Sequence, residues 1–164
     1  MTRLLLLLCT CCAMSAPVSA ADLPQLLFTS NRTGNFQIFL MNADGTAAKN
    51  LTNTATDETY PAWSPDGKKI AFTSARAGNR QVFVMDADGG NVKQLTKDHT
   101  SRAPTWSPDG KKIVFDIFNA ATGQRNIYTA NADGSGLFQV THAPSPVLGE
   151  GDQFPDWGTH PLAR

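Results

Sequence analysis

Ser64-Pro65-Asp66-Gly67-Lys68-Lys69-Ile70 recurs without change as Ser107-Pro108-Asp109-Gly110-Lys111-Lys112-Ile113. A heptapeptide repeated 43 residues on marks an internal repeat, and the flanking sequence extends it both ways. Before it, Trp63, Trp106 and Trp157 each stand two residues after a proline: Pro61, Pro104 and Pro155. Leu27-Phe28-Thr29-Ser30 answers Ala71-Phe72-Thr73-Ser74 and, more loosely, Val114-Phe115-Asp116-Ile117. Asp44-Gly45, Asp88-Gly89 and Asp133-Gly134 fall at steps of 44 and 45, and Leu51-Thr52, Leu95-Thr96 and Val140-Thr141 keep those steps.

A period of 43 to 45 is the length of one four-stranded propeller blade. Gln81-Val82-Phe83-Val84-Met85 and Asn126-Ile127-Tyr128-Thr129 are rich in β-branched and aromatic residues and bounded by Gly, Asn and Asp, as strands are. In Ser64-Pro65-Asp66-Gly67 the proline presets the first corner of a type I turn and the glycine takes the left-handed position, giving a hairpin loop. Asn42-Ala43-Asp44-Gly45 and its two counterparts look like the same device. Each unit therefore reads as a strand around Pro-x-Trp, a turn, a strand, a loop, a third strand, a turn and a short fourth strand.

The expected architecture is all-β and propeller-type, with about three four-stranded antiparallel blades over about 26–63, 64–106 and 107–158. The opening unit begins at its second strand, near Leu27, and Phe154-Pro155-Asp156-Trp157 reads as a first strand. In a closed ring the latter would join the former and remove a free edge.

Residues 1–20 read as a cleavable signal peptide, with Arg3 as the charged start, Leu4 to Met14 as an apolar run too short to span a bilayer, and Val18-Ser19-Ala20 as the cleavage site. The domain is then 21–164. Cys9, Cys11 and Cys12 all fall in this leader, so a domain starting at Ala21 has no disulfide or cysteine metal site. Loss of Arg3 leaves 13 basic against 14 acidic side chains. Such a balance gives no basic excess for nucleic acid and no polybasic run for a membrane surface. The lysine doublets Lys68-Lys69 and Lys111-Lys112 read as charges that protect strand edges.

From Pro61 to Ser74, and again in Val82-Phe83-Val84-Met85-Asp86-Ala87-Asp88-Gly89-Gly90, the chain resembles the propeller repeat of the TolB family over roughly residues 25–158. The resemblance implies half of a six-bladed TolB-like propeller, in the bacterial periplasm or secreted, mediating protein–protein interaction without catalysis. It implies an envelope partner such as the peptidoglycan-associated lipoprotein. TolB itself carries an N-terminal α/β domain, for which the sequence after the expected cleavage site has no room. Two copies joined by two-fold symmetry would give six blades. The competing expectation is a relic half-propeller.

Several motifs bear on chemistry. Ser-Pro-Asp-Gly is turn chemistry and lacks the Gly-x-Ser-x-Gly of a nucleophile elbow. Asp86 to Gly89 lacks the later glutamate of a calcium loop. Asn31-Arg32-Thr33 and Asn50-Leu51-Thr52 match a glycosylation sequon, which matters only in a eukaryotic secretory pathway. His99, His142 and His160 have no metal-ligand spacing. Some TolB-like polysaccharide lyases hold a metal with histidines in the propeller mouth, so a metal-assisted carbohydrate-active or sugar-binding protein is the alternative reading. No cofactor, metal or catalytic residue is expected.

The loops from fourth to first strand vary between repeats, whereas the turns do not. Partner-binding residues are therefore expected there: Asp57, Glu58, Lys97, Asp98, His99, Arg102, His142, Glu150 and Asp152. Arg32, Arg76 and Arg125 come from the second loop on the same side. Mixed charge of this kind suits a protein or peptide more than a polyanion.

Overall fold

A computed structural model describes residues 24–97, 99–142 and 151–158 of the 164-residue chain. The expected signal peptide, Asp98, Glu150 and His160 lie outside the described residues. Within them the chain forms three antiparallel sheets and no helix. Sheet 1 has β1 (Gln25–Thr33), β2 (Asn35–Asn42) and β3 (Lys49–Asn50). Sheet 2 has β4 (Glu58–Trp63), β5 (Lys69–Ala77), β6 (Asn79–Asp86) and β7 (Lys93–Gln94). Sheet 3 has β8 (Thr100–Trp106), β9 (Lys112–Asn119), β10 (Gln124–Asn131) and β11 (Phe138–Gln139). Strands within each sheet follow chain order, as in propeller blades. The Pro-x-Trp strand opens a sheet: Trp63 pairs with Ile70 and Trp106 with Ile113.

The repeated heptapeptide makes one turn twice. Gly67 N donates to Ser64 O at 2.9 Å, and Gly67 has φ 68°, the left-handed conformation that a Cβ disfavours. Ser64 Oγ donates to Asp66 Oδ1 at 2.6 Å and accepts from Lys69 N at 2.9 Å. Ser107, Asp109 and Lys112 reproduce these contacts at 2.6 and 2.9 Å. The Ser64 hydroxyl and, next, the Lys68 amide hold the Asp66 carboxyl below its usual range, and Ser107 with Lys111 does the same for Asp109. Asp86 to Gly89 is also a turn: Gly89 N donates to Asp86 O, and the Asp86 carboxylate is occupied by Lys69 and Asn91.

The apolar core lies between sheets. Leu27, Ile38, Leu40 and Leu51 of sheet 1 meet Ile70, Phe72, Phe83 and Met85 of sheet 2. Ala71, Val82 and Val84, on the other face of sheet 2, meet Trp106, Ile113, Phe115 and Ile117 of sheet 3. Alternation along β5 and β6 thus feeds two interfaces at once, which is why these strands read as continuous apolar runs. The Trp106 indole donates to Ala62 O at 3.2 Å across the second interface, and Trp63 packs against the first. Trp63 and Trp106, in register in the repeat, thus each pack at an interface between sheets.

Each outer flank keeps an apolar side chain open among the described residues. Leu26 holds the place in sheet 1 that Ile70 holds in sheet 2, yet it is 45% exposed where Ile70 is fully buried. Val140 in sheet 3 corresponds to Leu51 and is 47% exposed against 9%.

Candidate functional site

The loops expected to carry the site gather at one end of the sheets because buried amides tie them there. Gln37, 2% exposed, donates to the carbonyls of Thr54 and Thr56 and accepts from Thr54 N. Gln81, one repeat later, donates to His99 O and accepts from Thr96 Oγ1. Each buried amide thereby satisfies loop backbone groups that would otherwise be orphaned. Asn35 Nδ2 also donates to Ala55 O, so the β1–β2 hairpin and the loop after β3 share this end.

The innermost strands meet this end with an unusual backbone. Tyr60, Ala103 and Phe154 each precede a proline and adopt φ of 52, 51 and 55°. At Tyr60 and Ala103 a bulge interrupts the pairing, between Thr59 and Ala62 and between Arg102 and Thr105. A proline cannot donate to the ladder, so it sits where the ladder is broken. The bulge turns the Tyr60 ring outward, 38% exposed, to lie 6.0 Å from the Phe154 ring, which is 53% exposed. Arg102 lies over Phe154 at 4.7 Å. These aromatic residues were not singled out from the sequence; the available signal was the residue preceding each repeated proline.

Two ion clusters lie beneath. Glu58 is fully buried, the first residue of β4 with its side chain turned inward. Its Oε1 accepts from Thr54, Thr56 and Ser74 hydroxyls at 2.8, 3.0 and 3.0 Å, and its Oε2 pairs with Arg76 at 3.2 Å. The expectation that Glu58 presents charge at the mouth is corrected by this burial: its carboxylate knits the loop to β5. Arg76 donates to Ser74 Oγ at 2.9 Å and lies 5.4 and 5.1 Å from the Phe72 and Phe83 rings. In sheet 3, Asp116 replaces Thr73 of the repeat and is fully buried. Arg102 and Arg125 pair with it at 3.2 and 2.7 Å. Arg76 and Arg125, expected among the mouth arginines, are spent inside the blades.

The remaining expected residues divide simply. Asp57 accepts from Phe36 N at 3.1 Å and is half-buried. Lys97, His99 and His142 are exposed. Arg102 also reaches Gln153, and Asp152 N donates to Arg125 O at 3.1 Å. Arg32 is exposed over Phe28 and Phe39, at 5.2 and 4.7 Å. A shallow cavity of about 440 Å³ opens beside Tyr60, lined also by Phe36, Asp57 and Arg80. Among the described residues no three His, Cys, Asp or Glu side chains gather as a metal site.

The chain's kinship follows from this blade pattern and from comparison. A model of the TolB beta propeller domain matches residues 10–145. The chain belongs to the TolB beta-propeller family. A structure assigned as TolB from Agrobacterium tumefaciens superposes with TM-score 0.65 at 26% identity, over 70% of this chain and 44% of that one. TolB from Acinetobacter baumannii gives 0.62 at 29% identity, over 71% and 29%. Oligogalacturonate lyase from Vibrio parahaemolyticus gives 0.57 at 14% identity, over 70% and 36%, a likeness of fold alone. This chain thus spans less than half the length of the TolB structures it matches. No curated protein matches it.

Proposed function

We propose that the chain is an exported, non-catalytic binding module of the periplasm, and that two copies complete a six-bladed ring whose loop end receives a protein partner. The observation that carries the binding reading is the exposed pair Tyr60 and Phe154 beside Arg102 at the loop end. Aromatic and arginine side chains dominate binding energy at protein interfaces. Around them Asp57, Lys97, His99 and His142 supply a mixed-charge rim, with Asp98 and Glu150 assigned to the same loops on sequence alone. Family membership favours a peptidoglycan-associated lipoprotein as the partner class.

The ring reading rests on the two flanks. Sheet 1 repeats on its outer face what sheet 2 buries: Leu26 stands for Ile70, Phe28 for Phe72, Phe39 for Phe83. Sheet 3 offers Val140 where sheet 1 uses Leu51. The flank of one copy therefore has the composition to cover the opposite flank of another, and a two-fold axis closes both junctions.

The binding reading is tested with the soluble domain of a peptidoglycan-associated lipoprotein by titration calorimetry. Tyr60→Ala with Phe154→Ala should weaken binding at least tenfold, about 1.4 kcal/mol, while the unfolding midpoint stays near that of the parent. No binding by the parent, or equal binding by the variant, removes this site. Reversing Glu58 would be uninformative, because its buried carboxylate supports the fold.

A further inference from the structure

An innermost strand in this fold has two neighbours. It hydrogen-bonds to the second strand of its own sheet and packs on the sheet before it. β8 does both: Trp106 and Ser101 pair with Ile113 and Ile117 of β9, and Ala103 N donates to Thr73 Oγ1 of sheet 2 at 3.1 Å.

Residues 151–158 make the second kind of contact alone among the described residues. Phe154 N approaches Asp116 Oδ2 at 3.5 Å, where Asp116 holds the place of Thr73. Thr105 Oγ1 donates to Asp156 Oδ1 at 3.2 Å, and Phe154 has the positive φ of Tyr60 and Ala103. The segment thus has the seat and the backbone of an innermost strand, with no second strand among the described residues to pair with. β1 is its inverse. It pairs with β2, and its other edge meets no strand among the described residues.

The side chains fit the same gap. In sheet 2 a four-part cluster joins Ser74, Arg76, the Phe72–Phe83 pair and Glu58. Sheet 1 reproduces three parts. Arg32 Nε donates to Ser30 Oγ at 3.0 Å, and the Phe28–Phe39 rings stack at 5.6 Å against 5.8 Å in sheet 2. The acid is the missing part. Asp152 holds the repeat position of Glu58, and no described residue bonds its carboxylate.

We propose that residues 151–158 of one copy add to β1 of a second copy as its innermost strand, with Asp152 as the acid for Ser30 and Arg32. The register copied from β4 and β5 is Asp152↔Ser30, Gln153↔Thr29, Asp156↔Leu27 and Trp157↔Leu26. The addition rests on the two-copy ring and specifies its seam: each copy gives one strand and receives one, so both edges vanish. Asp152 is one methylene shorter than Glu58, a gap the exposed, flexible Arg32 arm spans.

The test uses Arg32→Asp and Asp152→Arg in the full chain, with mass measured by light scattering on a sizing column. The parent should be a dimer and each variant a monomer, with dissociation at least tenfold easier. An equimolar mixture should return to dimer, because it holds one native and one reversed Asp–Arg junction. A dimeric parent whose variants stay dimeric, or whose mixture fails to recover, overturns the strand addition and leaves the ring standing. A monomeric parent overturns both. Should either variant fail to fold, Ser30→Cys with Asp152→Cys, in a chain whose Cys9, Cys11 and Cys12 are serine, answers instead. Oxidation should trap a covalent dimer, since directly opposed residues on paired strands approach the ~3.5–4.5 Å Cβ separation that a disulfide spans. A dimer that does not cross-link rejects this register.

Discussion

Glu58 couples a buried carboxylate to Arg76, whose side chain is 26% exposed. Glu58→Ala removes three hydroxyl contacts and leaves the guanidinium half-enclosed without its counter-charge. The expected cost is about 2–3 kcal/mol, at or just below the low end of the range of about 3–5 kcal/mol for breaking a buried pair, because water still reaches Arg76. Lys97→Ala, at an exposed position, should fall within about 0.5 kcal/mol of the parent. Urea unfolding of the two variants checks the contrast, and equal midpoints would deny Glu58 its structural role. Asp66 and Asp109 set a pH dependence. Their carboxyls are depressed in the folded chain, so the stability they add is present above the unfolded carboxyl value, near pH 4, and is lost as pH falls through the lower folded value. Ser64→Ala with Ser107→Ala removes the largest cause of the depression. Thermal unfolding from pH 5 to 2 should then show a shallower acid decline, whereas a parallel curve would locate the acid sensitivity elsewhere.

At the scale of elements, the repeated turn was legible in full, because Ser-Pro-Asp-Gly carries its own donors, acceptors and left-handed glycine. The Pro-x-Trp strands and the four-strand order were legible for the same reason, since each recurs in register. Glu58 was not. It stands where a variable loop becomes a strand, and alternation cannot assign a face to a strand's first residue. Asp116 was hidden as well, since it falls in the loosest copy of its repeat and its two arginines come from β8 and β10, known only once the strands are paired. Glycines in turns differ by what surrounds them. A Cβ at Gly67 meets open space, so Gly67→Ala should cost about 1 kcal/mol for its positive φ alone. A Cβ at Gly89 would lie 2.7 Å from Leu51 O on the neighbouring sheet. Gly89→Ala should therefore cost about 1–2 kcal/mol more, since backbone must yield. A denaturant series ranks them, and the reverse order would mean that sheets 1 and 2 do not approach as closely as described.

For the whole molecule, the flanks decide what the repeats build. Apolar positions that are buried between sheets at Ile70 and Leu51 lie open at Leu26 and Val140 on the two ends of the stack. Leu26→Asp places a charge in the seam and should leave the internal interfaces intact, giving a folded monomer with an unchanged circular dichroism spectrum. An unaltered dimer from this variant would place the association surface away from sheet 1. The most direct test of the account is the absolute mass of the unmodified chain by light scattering at micromolar concentration. The ring predicts a single species at twice the mass of one chain. A single, soluble species at the mass of one chain would contradict it.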